Sequence, residues 1–337
     1  MKAIGYRVAG PSSAPGALVD FELPTPEPGP RDLRVAVRAV SVNPADVKLR
    51  ATRAPADGGT AVLGFDAAGV VEAVGRDVTL FKPGDDVFYA GAIDRPGTDS
   101  EFHLVDERIV GRKPATLSFG ESAALPLTSI TAWELLFERL CVTQHAGKRN
   151  AAILIINGAG GVGSILTQIA SALTGLTVIA TASRPETIAW CRKMGAHRVI
   201  DHHKPLKDEL QAIGIEQVQY VASLTATDRH LPGIAEIIAP QGKIALIDDP
   251  AALDIVSLKL KCVSVHWELM FTRSLFHTAD MIEQHRLLNR VADLVDAGVL
   301  RTTLTEDAGL INAKNLLRVH ARVEGGRSIG KTVLTGF

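Results

Sequence analysis

The stretch AAILIINGAGGVGSILTQIASALTG, residues 151–175, decides how the rest of the chain is read. Its first six residues, Ala151–Ile156, form an unbroken apolar run of the kind that suits a strand buried on both faces of a sheet. Gly158, Gly160 and Gly163 follow at G-x-G-x-x-G spacing. Apolar Val162, Ile165, Leu166, Ile169 and Leu173 then recur at i, i+3, i+4, which turns one face of a helix toward a sheet. Between strand and helix each glycine has a physical task. Gly158 permits a tight turn, Gly160 lets backbone approach a pyrophosphate, and Gly163 lets the helix pack close to the strand. The amides that open the helix, including those of Gly161 and Val162, lack intrahelical partners and are placed to face phosphates.

Downstream the rhythm continues as strand, helix, strand: LTVIATAS, ETIAWCRKMG, HRVID, then the apolar runs Val218–Leu224, Lys243–Ile247 and Cys262–Val265. About six strands alternating with helices predict a parallel, doubly wound sheet. At the end of the strand after the glycine turn, a site for NAD usually carries an acidic residue toward the ribose hydroxyls. This chain has Ser183 and Arg184 instead. A hydroxyl and a guanidinium bind a 2′-phosphate that a carboxylate would repel, so the expected cofactor is NADPH rather than NADH.

The first third of the chain differs in composition. Twelve of the 17 prolines lie at or before Pro126, and short apolar stretches alternate there with turns such as PTPEPGP and KPGDD. That pattern predicts a β-rich barrel or sandwich. The whole chain of 337 residues suits about two domains. Its 36 Lys and Arg against 37 Asp and Glu, a formal net charge of −1, leave no general basic field for a nucleic acid. Cys141, Cys191 and Cys262 are too few and too scattered for a disulfide framework and read as reduced thiols of a cytoplasmic protein. No signal peptide and no membrane span are expected. Gly325–Thr332, GGRSIGKT, matches the phosphate-loop pattern of nucleoside triphosphatases letter for letter, but only the β-like VLTGF follows, where that loop requires a helix.

Taken together, SVNPADVK (Ser41–Lys48), GFDAAGVVEAVG (Gly64–Gly75), FKPGDDV (Phe81–Val87), LPLTSITAWE (Leu125–Glu134), the glycine turn and the GKTVLTGF tail resemble the medium-chain dehydrogenase/reductase superfamily over essentially the whole length. The chain is most similar to the quinone oxidoreductase and zinc-type alcohol dehydrogenase-like branch. The resemblance implies a GroES-like β-barrel interrupted by a Rossmann domain, with residues 1–122 and 267–337 in the first and 123–266 in the second, and an active site in the cleft between them.

The departures from that family concern metal. Zinc members place Cys in the segment matching Asn43–Asp46, a His-Glu pair where this chain has Phe65-Asp66, and a further Cys near Thr128; the four-cysteine structural zinc lobe is also missing, since Tyr89–Phe102 holds no cysteine. Catalytic zinc wants three nitrogen or sulfur ligands, so no zinc is expected here. Adjacent His202 and His203 offer no third ligand. Without zinc a quinone or a conjugated enone is the easier substrate, because hydride adds to carbon while charge spreads to a distant oxygen. The resemblance makes Asn43 a hydrogen-bond partner of the substrate oxygen or the nicotinamide ribose. It makes Lys48 a source of charge or of a proton path, with Asp46 between them. By the same resemblance Thr128 lies near the nicotinamide, Lys331 near the cofactor phosphates or the cleft rim, and His266–Arg273, with Trp267, Met270 and Phe271, lines a pocket for a small hydrophobic substrate or a subunit interface. A homodimer through the last Rossmann strand, Cys262–Val265, is expected. Two other readings stay open: an alcohol or aldehyde oxidoreductase with a metal at an unorthodox site, and a catalytically idle NADPH-binding protein.

Overall fold

A computed structural model describes residues 1–144 and 151–337. Contacts divide the chain into two compact units, Met1–Ile130 with Phe271–Phe337, and Thr131–Met270.

The first unit is β-rich. In chain order its amino-terminal part contributes β1 (Lys2–Tyr6), β2 (Val19–Glu22), β3 (Asp32–Ser41), β4 (Ala61–Val62), β5 (Asp66–Val74), β6 (Asp86–Tyr89), β7 (Phe102–Asp106) and β8 (Val110–Arg112). Three helices lie among or after these strands: α1 (Pro44–Thr52), α2 (Phe119–Ala123) and α3 (Pro126–Trp133), the last running through the division at Ile130. In β3 the buried residues Leu33, Val35 and Val37 alternate with less buried Asp32, Arg34 and Ala36, the two-residue period of a strand with one face on a core.

The second unit holds β9 (Ala152–Ile156), α4 (Gly161–Leu173), β10 (Thr177–Thr181), α5 (Pro185–Lys193), β11 (Arg198–Ile200), α6 (Leu206–Ala212), β12 (Val218–Ser223), α7 (Thr227–Ile237), β13 (Ile238–Leu246) and β14 (Ser264–Trp267). Its strands pair in parallel in the order β11-β10-β9-β12-β13-β14. All five residues of β9 are buried, as expected for a central strand covered on both faces. The chain is therefore an α/β protein with a GroES-like unit and a doubly wound Rossmann sheet. One strand sits lower than the sequence pattern places it. Cys262 takes a left-handed φ of 50° at the end of a 3-10 turn, so β14 starts at Ser264 instead of Cys262 and runs on to Trp267.

The chain then adds α8 (Thr272–Leu275), α9 (Glu283–Asp296), β15 (Leu304–Asp307), α10 (Ala313–Glu324) and β16 (Lys331–Thr335) to the first unit. There β16 pairs antiparallel with β3, Val333 opposite Ser41, and β5 pairs with the other side of β3, Asp66 opposite Ser41. Three strands thus end together, and continuing the β16 register by two residues brings Lys331 across from Asn43. Among the described residues no helix is long and apolar enough to cross a membrane.

Candidate functional site

The glycine turn joins β9 to α4 at the carboxyl end of the parallel sheet, the end at which such sheets bind ligands. Its left-handed residue is Asn157, φ 65°, and Gly158 has no positive φ. What demands a glycine at 158 is space: a Cβ there would lie 2.6 Å from Ala180 Cβ and 3.1 Å from Cys191 Sγ. At Gly163 a Cβ would lie 2.3 Å from the Asn157 carbonyl oxygen and 2.8 Å from the Gly158 backbone, so this glycine carries the close helix-to-strand approach. At Gly160 the three atoms nearest a Cβ all belong to Asn157, its side-chain amide nitrogen at 2.9 Å and its carbonyl oxygen at 3.5 Å among them.

The amides sort the same way. Gly158 N–H donates to Thr181 O at 3.1 Å and Gly160 N–H to Asn157 O at 3.2 Å, so both are engaged inside the turn. The first helical bond runs from Ser164 N–H to Gly160 O at 2.9 Å. That leaves Gly161, Val162 and Gly163 as the helix-opening amides for an anion. Gly160, Gly161 and Val162 are partly exposed.

Ser183 and Arg184 follow β10, the neighbour of β9, and are both partly exposed. Arg184 caps α5: its N–H donates to Thr187 Oγ1 at 3.1 Å, while Thr187 Oγ1 donates back to its carbonyl at 2.8 Å. The Arg184 guanidinium also lies 3.3 Å from the Glu186 carboxylate. The cation expected to hold a 2′-phosphate is therefore shared with an acid two residues on.

Of the other expected residues, Asn43 and Lys331 meet in the first unit, in a buried polar cluster where β16, β3 and β5 end. Asn43, the N-cap of α1, is 1% exposed and Asp66 is fully buried. Lys331 Nζ donates to Val42 O at 2.9 Å and to Asn43 Oδ1, and stands 3.1 Å from Asp66 Oδ2. Its three protons are matched by three acceptors. Asn43 Nδ2 donates to Asp66 Oδ2 at 2.8 Å and to Ser41 O at 3.3 Å, which engages both amide hydrogens. Leu127 N–H, in the first turn of α3, donates to Asp66 Oδ1 at 2.7 Å. Asn43 N–H donates to Asp46 Oδ2 at 2.7 Å at the amino end of α1, whereas Asp46 Oδ1 has no hydrogen-bond partner. Burial raises the carboxyls of Asp46, to about 7, and of Asp66, against the opposing pull of Lys331. Nearby Asp99 is pushed up by burial and by Asp46.

Thr128 belongs to the same region: it is buried on α3, and its Oγ1 donates to Leu125 O at 3.1 Å. Lys48 does not join the cluster's buried network; it is exposed on α1, where its carbonyl accepts from Thr52 Oγ1 at 2.7 Å. Lys331, expected at a phosphate or a rim, is instead a buried partner of Asp66 and Asn43, because its strand pairs inward against β3. That placement also disposes of GGRSIGKT as a phosphate loop, since the segment follows helix α10 and leads into strand β16, and its lysine is held by Asp66. In the His266–Arg273 segment, Met270 and Phe271 are buried, with the Phe271 ring tilted against that of Phe65 at 4.7 Å between centres, while Trp267 is 57% exposed. Buried Glu268 accepts from Arg139 Nε at 2.8 Å. His202 and His203 have ring centres 4.4 Å apart.

Zinc does not fit the residues present. The segments that the family resemblance matches to zinc ligands supply here an amide, two carboxylates and a hydroxyl, and an ammonium is already paired with one of the carboxylates, Asp66. Among the described residues no group of three or more His, Cys, Asp or Glu side chains could hold a metal ion.

Comparison with known proteins agrees with this architecture. The alcohol dehydrogenase GroES-like domain model matches residues 29–123, and the zinc-binding dehydrogenase model matches residues 161–283. A quinone oxidoreductase from Pseudomonas aeruginosa is 32% identical over 91% of this chain and 92% of its own. A crystal structure from Rhizobium etli CFN 42, named provisionally as a zinc-dependent alcohol dehydrogenase, is 58% identical with a TM-score of 0.96, covering 100% of this chain and 98% of that one. A mycobacterial protein solved in complex with NADPH is 26% identical with a TM-score of 0.83 over 99% of both chains.

Proposed function

This chain belongs to the medium-chain dehydrogenase/reductase superfamily, in its quinone oxidoreductase and alcohol dehydrogenase-like branch, and we propose that it is a zinc-independent, NADPH-dependent reductase of quinones or α,β-unsaturated carbonyls. The observation that carries this reading is the donor set of the buried cluster, an ammonium, an amide and two carboxylates with neither thiolate nor imidazole. Such a set can orient a substrate or cofactor but supplies no Lewis acid. A substrate whose developing charge spreads to a remote oxygen suits it better than a simple ketone.

The amides of Gly161, Val162 and Gly163 hold the pyrophosphate, Gly158 and Gly160 shape the turn around it, and Ser183 with Arg184 takes the 2′-phosphate. Bound there, reduced nicotinamide supplies a hydride. Asn43 has both amide hydrogens engaged, but its Oδ1 keeps a second lone pair, so it suits a ribose hydroxyl as acceptor better than a substrate oxygen as donor. The family resemblance assigns Thr128 to the nicotinamide, and Lys48 on the exposed face of α1 provides the charge or the proton that completes hydroquinone or saturated carbonyl. The quinone oxidoreductase likeness supports the substrate class, and the NADPH complex of a similar fold supports the cofactor. The protein acts as a cytoplasmic homodimer that pairs β14 with its copy in a second chain, with no nucleic acid or membrane partner.

NADPH oxidation measured against a panel of quinones and enones, in buffer treated with a chelator, tests the reading. Turnover that survives chelation and prefers NADPH is expected. Loss of activity on chelation, preference for NADH, or tight NADPH binding with no turnover on any member of the panel overturns it.

A further inference from the structure

We propose that Lys331 is the resident cation of this site: its ammonium stands among the segments that hold the metal ion in zinc-dependent relatives, and with Asp66 it positions the nicotinamide-side residues Asn43 and Thr128. The inference rests on the reductase reading for what those two residues do, and on geometry alone for the cation. Three segments lack the zinc ligands that the family resemblance implies, Asn43–Asp46, Phe65-Asp66 and the neighbourhood of Thr128. The fold brings all three to the Asp66–Lys331 pair. Asn43 offers its Oδ1 to the ammonium, Asp66 lies 3.1 Å from it, and Leu127, next to Thr128, is tied to the far oxygen of the same carboxylate at 2.7 Å. The cation itself comes from a fourth segment, the chain's last strand, set opposite Asn43 by the β16 to β3 register.

An ammonium in this place does two things that a metal would do and one that it would not. It compensates a fully buried carboxylate, which alone would be costly. It also fixes an orientation, because a proton donor at Asn43 Oδ1 forces the amide to turn its hydrogens to Asp66 and Ser41. Unlike zinc, it has no open coordination position, since Val42 O, Asn43 Oδ1 and Asp66 Oδ2 take all three protons. Lys331 and Asp66 are therefore positioning residues, and the ammonium occupies the Asp66 oxygen that a divalent ion at this place would need.

The test compares wild type with Lys331→Met, Lys331→Arg and the neutral pair Lys331→Met/Asp66→Asn, which removes the buried charges together and so keeps a folded reference. Three quantities are read: kcat on the best quinone or enone, the NADPH dissociation constant from fluorescence, and zinc content after dialysis against micromolar Zn²⁺. The expected result is a fall in kcat of about tenfold to a hundredfold in both Met-containing proteins. The NADPH dissociation constant should stay within about threefold, Lys331→Arg should recover part of the loss, and the wild type should hold no stoichiometric zinc. A neutral pair that turns over like wild type reduces the ion pair to a structural element and overturns the proposal. Stoichiometric zinc in the wild type overturns it independently of activity. A wild type inactive on every substrate defeats the reductase reading alone; the zinc content then decides the cation.

Discussion

Gly160 and Gly163 are three residues apart in one turn and answer to different neighbours. A methyl group at 163 has the Asn157 carbonyl 2.3 Å away and cannot be placed without moving backbone. Gly163→Ala should therefore destabilise the protein by about 1–3 kcal/mol, read by urea unfolding without ligand. At 160 the nearest atom is the end of the Asn157 side chain, which can move. Gly160→Ala should leave unfolding nearly unchanged and weaken NADPH binding by about tenfold, because the lost space is the phosphate's. Equal loss of stability in the two variants would show that both glycines serve packing alone. Arg184 can be tested beside them. Its guanidinium is divided between Glu186 and the expected 2′-phosphate. Arg184→Ala should raise the NADPH dissociation constant about tenfold and leave that for NADH unchanged, whereas Glu186→Gln should tighten NADPH. Isothermal titration with both nucleotides checks the pair, and an equal effect on NADH would remove Arg184 from the specificity argument.

At the scale of an element, α1 shows what sequence can and cannot reveal. Asn43, Pro44 and Asp46 are residues that suit a helix start, and α1 begins there with the Asn43 N–H on the Asp46 carboxylate. What stood around the cap was not legible, because Lys331 lies in a strand 288 residues away and local pattern carries no register between distant strands. The same limit explains β14, where apolar residues located the strand but the left-handed Cys262 moved its start to Ser264. It explains the glycine turn as well, where spacing found the motif while the positive φ fell on Asn157, outside the three glycines. The buried cap has a consequence for pH. Burial lifts Asp46 to about 7, whereas an aspartate in an unfolded chain titrates near 4. Between those values the folded protein keeps a proton that the unfolded chain has released, so stability falls as pH rises from about 4 through about 7. Lys331 opposes the shift, and Asp66 and Asp99 reinforce the effect through their own raised carboxyls. Asp46→Asn keeps an oxygen for the Asn43 amide. It should flatten the slope and make the variant the more stable protein above pH 7, by a few kcal/mol at most, in urea unfolding at pH 5 and pH 8. An unchanged slope would mean that Asp99 or Asp66, and not Asp46, holds the proton.

At the scale of the whole molecule, composition foresaw a β-rich first part and an α/β middle, and the two kinds of sheet are present because proline-punctuated short strands and continuous apolar runs are different physical solutions to burying a face. It could not say what covers the open side of the six-stranded sheet. Among the described residues β14 pairs with β13 alone, and the residues around it, Trp267 at 57% exposure and Leu269 at 50%, are large and apolar. An apolar edge of this kind, left bare on a chain of formal net charge −1, would promote uncontrolled association. A twofold pairing of β14 with its copy would satisfy the edge hydrogen bonds and close the contact on itself, so that association would stop at two chains. Trp267→Glu and Leu269→Glu place charges in that contact while touching neither the glycine turn nor the Asp66–Lys331 cluster. Sedimentation velocity at micromolar concentration should show the wild type as a dimer and the double variant as a monomer, with the NADPH dissociation constant unchanged. A monomeric wild type would refute the edge-strand dimer, and a double variant that stays dimeric would move the interface elsewhere on the surface.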